Sequence, residues 1–90
     1  MSTEAKYIEQ IVADIQQRHE DAERNYKAFQ KQWQVLNQEC ADLVKAGFTL
    51  SDKEIQDNHD NRQSAFEVMR KLDKESTACL KALDALEALR

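Results

Sequence analysis

Proline is absent from this chain of 90 residues, and glycine occurs once, as Gly47. Strands are joined by turns, and turns lean on those two residues, so an all-β fold is excluded. Cysteine occurs twice, as Cys40 and Cys79. That is too few for a disulfide framework, so reduced thiols and a cytoplasmic location are expected. No apolar run approaches the roughly 18 residues that span a bilayer, and "MSTEAKYIEQ" lacks the basic-then-apolar plan of a signal peptide. A basic block is missing too. Residues 1–46 carry six basic and eight acidic side chains, residues 47–90 carry seven and nine, and the net charge is −4. Phosphate neutralisation needs clustered cations, so nucleic acid is an unfavoured partner.

What remains is rich in Ala, Leu, Glu, Gln, Lys and Arg, the strong helix formers, and its length suits one domain, residues 1–90. The expected fold is all-α. The central punctuation is "LVKAGFTLSDKEI", residues 43–55. Gly47 can take the left-handed conformation that ends a helix, with Phe48 folding back towards Leu43. Ser51 and Glu54 have the spacing of a capping box, and Leu50 and Ile55 that of a hydrophobic staple. These signals predict helices over about residues 3–46 and 52–88, joined by a short turn, which makes them antiparallel neighbours.

The first helix carries a heptad seam from Ala5 through Ile8, Val12, Ile15 and His19 to Leu43, in which His19 alone is polar. The second seam runs Ile55, Asn58, Arg62, Ala65, Met69, Leu72, Ser76, Cys79, Leu83 and Leu86. Folding about residue 49 sets Trp33 against Ala65, Tyr26 against Leu72, Ile15 against Leu83 and His19 near Cys79. The match of the largest side chain with the smallest supports this register. It also sets Leu36 and Cys40 against Arg62 and Asn58, within the polar run Gln56–Ser64. Three readings of that run are open: a solvated first part of the second helix, a frayed one, or the rim of a docking groove. The cysteines stand about 31 Å apart in this arrangement, so an intramolecular disulfide is excluded.

The apolar surface is wider than one seam at the open end. Self-association through Ile8, Ile11, Ile15, Leu80, Leu83, Leu86 and Leu89 is therefore expected, pairing two hairpins as a coiled-coil-like four-helix bundle. At the turn end, Val35, Leu36, Cys40, Val44 and Phe48 are the candidate strip for a protein partner.

Chemistry-bearing patterns are few. His19 and His59 are each preceded three residues earlier by glutamine, where a bundle di-metal site needs glutamate. Neither begins a His-Glu-x-x-His motif, and one glycine cannot build a phosphate loop. Cys40 and His59 fall near one another but lack any companion resembling an oxyanion site. No catalytic residue, metal or cofactor is expected, and His19 is read as a polar seam residue that fixes register. Tyr26, Phe29 and Trp33 fall on the seam, so they belong to the core rather than to a base-stacking platform. The expected function is a non-enzymatic protein-interaction module: a small adaptor, inhibitor or chaperone-like protein acting as a homodimer. The alternative is a small nucleic-acid-associated regulator presenting Arg18, Arg24, Lys27 and Lys31, though acids are interleaved among them.

Overall fold

A computed structural model describes residues 3–89. It contains two helices, α1 (Thr3–Lys45) and α2 (Lys53–Glu87), packed as an antiparallel hairpin. The chain is an all-α helical hairpin, as the punctuation and the seams require.

The turn forms by two local devices, one foreseen and one not. Gly47 has φ +97°. The Phe48 N–H donates to the Leu43 carbonyl (3.0 Å) and the Gly47 N–H to that of Val44 (3.1 Å). These are the two bonds that close a helix C-terminus around a left-handed glycine. The start of α2 differs from the capping box. Its N-cap is Asp52, whose carboxylate makes no cap hydrogen bond. Asp52 Oδ2 turns back instead and accepts the Thr49 N–H at 2.6 Å. Gln56 Nε2 donates to the carbonyl of Leu50 at 3.3 Å, a backward tie of the opposite polarity to that of a capping box, in which Glu54 would accept from a backbone N–H. The staple does not form either. Ile55 is buried, while Leu50 is 86% exposed, because the turn directs Ile55 towards α1 and Leu50 to the outside.

The register agrees with the folding point. Ala22 and Tyr26 share a cavity with Leu72 and Ser76, and Ile8 shares one with Leu89. The Trp33 and Phe66 rings lie 6.5 Å apart, tilted at 39°, beside the buried Ala65. Facing residues therefore have numbers that sum to about 98, as expected for two straight helices of equal rise.

The hairpin is a rod of 69 × 15 × 15 Å with a radius of gyration of 20.0 Å. A compact chain of this length would have about 12 Å. The core is correspondingly thin. Val12, Ala22, Ile55, Ala65, Met69 and Cys79 are its buried apolar members, and no large side chain among the described residues is fully enclosed.

The polar run is helical throughout, so fraying is ruled out. Nor is it wholly solvated. Asn58 is 2% exposed, and its Nδ2 donates to the Leu36 carbonyl across the hairpin at 2.9 Å. A seam position filled by a polar side chain has been taken inside, and the α1 backbone supplies its partner.

Candidate interaction surfaces

The turn end presents a groove of about 530 Å³, lined by Cys40, Val44, Leu50, Ile55, Gln56, His59, Asp60 and Arg62. Cys40 and Val44 come from α1, Leu50 from the turn and the rest from α2. The floor is apolar, and His59, Asp60 and Arg62 rim it on the α2 side. Of the five residues in the partner strip, the structure brings Cys40 and Val44 into this groove. Leu36 and Phe48 are half-buried and do not line it. Val35 is 65% exposed and stands elsewhere. It is nine residues from Val44, about 900° of helical rotation, so the two valines point to opposite flanks of α1. Leu50 and Ile55, read from sequence as a closed staple, turn out to be groove residues. Their role was hidden because the staple pattern accounted for them locally.

The open end divides likewise. Ile8, Ile15, Leu83 and Leu86 occupy the seam between the helices. All four are half-buried there, as is Ile11. Leu80 and Leu89 are 49% and 67% exposed. They lie nine residues apart and so face opposite flanks. Leu89 joins Tyr7 and Ile8 around a shallow depression of about 450 Å³.

The exposed large apolar side chains thus sort into two flanks. One bears Val44, Phe66 and Leu80, with Leu50 at the turn; the other bears Tyr7, Val35 and Leu89. Phe66, one position past the seam residue Ala65, is 43% exposed, and its ring lies against that of Trp33.

The polar groups of the seam are incompletely paired. His19 Nε2, Asn58 Oδ1 and Arg62 Nε are buried atoms without a hydrogen-bond partner. Glu23 Oε1 lies 3.4 Å from His19 Nε2, close enough for an ion pair if the ring is protonated but outside hydrogen-bond geometry. Cys40 and His59 line the same groove. Both cysteines are free, Cys79 buried and Cys40 partly so. Among the described residues no group of three or more His, Cys, Asp or Glu side chains is arranged to hold a metal ion. Over the same residues, no helix is long and apolar enough to cross a membrane.

The four cations of the nucleic-acid reading are partly engaged. Arg18 pairs with Asp14 at 3.4 Å, and Arg24 Nη2 donates to Asp21 Oδ1. No protein-family model matches the chain, and neither does any curated protein or solved structure.

Proposed function

We propose that this chain is a cytosolic, non-enzymatic interaction module, a small adaptor, inhibitor or chaperone-like protein that works as a homodimer of hairpins. One observation carries the reading. The hairpin has an accessible surface of 6979 Å², whereas a globular monomer of its mass would have about 5,400 Å². The excess is roughly 1,500 Å² per chain. If two chains each cover that much, the interface totals about 3,000 Å², the size that permanent homodimers use. Burying half-exposed leucines stabilises by ~25 cal/mol per Å² of apolar surface, so the driving force lies in the side chains that the seam leaves uncovered.

The two apolar flanks support the adaptor half of the reading. A homodimer needs one flank, and the hairpin has a second to offer a different protein. The nucleic-acid reading has less support, because Arg18 and Arg24 are engaged by acids of their own helix.

The test is the mass of the purified chain by light scattering after size exclusion. Twice 10.5 kDa is the expected result, and a helical monomer at micromolar concentration would overturn the homodimer. A low-salt anisotropy titration with duplex DNA tests the rival. The expected outcome is no binding at about 50 mM salt; binding that weakens steeply with salt would favour the rival instead.

A further inference from the structure

His59, Phe66, Asp73 and Leu80 are spaced by seven residues, so they form one stripe along α2. Two depressions open on that flank. One is the turn-end groove, which includes His59. The other, of about 310 Å³, lies near mid-rod and is lined by Ala22, Glu23, Tyr26, Lys27, Leu72, Asp73 and Ser76. Phe66, level with Trp33, stands between them.

Distances along the rod give this flank a symmetry. Leu80 lies fourteen residues from Phe66, about 21 Å along the axis. On the other side of Phe66, Val44 and Leu50 lie about 17 to 24 Å away at the same rise. An apolar knob and an apolar groove are therefore equidistant from one aromatic side chain. A two-fold axis through Phe66 would bring the knob of each chain to the groove of the other. The same operation sets His59 at the level of Asp73 and Asp60 at the level of Lys27. The second pair is of opposite sign, the first can join an imidazole N–H to a carboxylate, and both link the rim of the turn-end groove to the rim of the mid-rod depression. Two like-charged matches arise as well: Arg62 with Arg70, where the Arg62 Nε is turned into the hairpin and buried, and Asp60 within one residue of the level of Asp73, with Lys27 equally near on the other side.

We infer that this flank is the dimer interface: a second copy of the chain packs on it antiparallel, with Phe66 at the two-fold axis and Leu80 of each copy seated in the Cys40–Val44–Leu50 groove of the other. The inference rests on the homodimer proposed above and specifies which face makes it. Matching of charge and shape about one axis selects a second copy over an unrelated helix, since one chain carries both halves of every contact. The opposite flank, with Tyr7, Val35 and Leu89, is left for a different protein.

Engineered thiols test this geometry. Val44→Cys and Leu80→Cys are combined in one chain, with Cys40→Ser to remove the accessible native thiol. Within a chain the two new thiols stand about 39 Å apart along the axis, beyond the reach of a disulfide. Across the proposed interface they come within about 3 Å of the same level. Mild oxidation with oxidised glutathione is expected to give a covalent dimer whose digest joins the first substituted position of one chain to the second of the other. Like positions should stay unlinked, because they would stand about 36 and 42 Å apart along the axis. A dimer by light scattering that links like positions, or forms no link, would overturn the antiparallel pairing and leave the homodimer standing. A monomeric native chain would remove both.

A charge swap gives a second reading on exposed residues that do not threaten the fold. Asp60→Lys and Lys27→Asp are each expected to weaken the dimer about five- to thirtyfold, counting two symmetric pairs. The double variant should recover most of the loss. Single reversals that leave the dimer unchanged would count against this face.

Discussion

At the scale of the residue, Asn58 is the most informative side chain. It is as deeply buried as Ala22, yet one of its two polar atoms is unpaired. A buried hydrogen bond contributes about 1 kcal/mol net, while a buried orphan acceptor costs a similar amount. The gain and the penalty nearly cancel, so the volume of the side chain matters more to stability than its polarity. Asn58→Ala, which leaves a gap, is expected to destabilise by ~1–2 kcal/mol. Asn58→Leu, which fills the site without a polar atom, should leave stability unchanged or higher. Thermal unfolding followed by circular dichroism distinguishes them. An equal loss in both variants would mean that the bond to the Leu36 carbonyl is what holds this layer. The use of such a residue is specificity, since a polar group at one seam position penalises shifted registers. The seam spacing already put Asn58 between the helices. Its partner was not legible, because a carbonyl of α1 carries no mark in the sequence.

At the scale of the element, the turn decides whether the helices pair. Nothing lies within 4 Å of where a Gly47 side chain would project, so space does not require glycine there; the positive φ does. Gly47→Ala is expected to destabilise by about 1–2 kcal/mol through backbone conformation alone. For a hairpin of this size, that is a fall in melting temperature of roughly 4–16 °C. The α2 start makes a sharper distinction between two neighbours. Asp52→Ala should destabilise by ~1 kcal/mol, because the carboxylate receives the Thr49 N–H and hydroxyl. Ser51→Ala should stay within about 0.5 kcal/mol, because Ser51 Oγ bonds only the exposed Thr49 hydroxyl. The reverse ranking in urea unfolding would restore the capping box. Both Ser51 and Asp52 are good capping residues by type. Sequence spacing favoured Ser51 because Glu54 follows at the right interval, but the tight turn draws the chain one residue further before α2 begins.

At the scale of the whole molecule, shape decides what the protein needs. Two helices in a 69 Å rod can cover only one stripe each, so the apolar side chains outside the seam stay exposed in the single hairpin. If a second copy covers them, unfolding is coupled to dissociation. The melting temperature should then rise with chain concentration. A midpoint that is flat over a hundredfold range of concentration would mean that the hairpin stands by itself. Leu80→Asp, which places a charge on the proposed interface and outside the seam, should lower the mass by light scattering while helicity is kept. Leu83 suits this test less well, being half-buried between the helices. The candidate surfaces were partly legible. Heptad counting identified apolar excess at both ends but treated each end as one patch. The structure divides each excess between two flanks, because residues nine apart on a helix face opposite ways.

The sequence by itself determined the helices, the place of the turn and the register. Each follows from local rules: helix-forming composition, a glycine at the stop, a seven-residue apolar period and a match of large with small across the fold. Tertiary structure decided what lies inside and what remains to bind. The burial of Asn58, the outward turn of Leu50 and the groove between α1 and α2 all depend on where the other helix stands. No pattern along one helix records the position of its neighbour's backbone, so those features emerge only when both helices are in place.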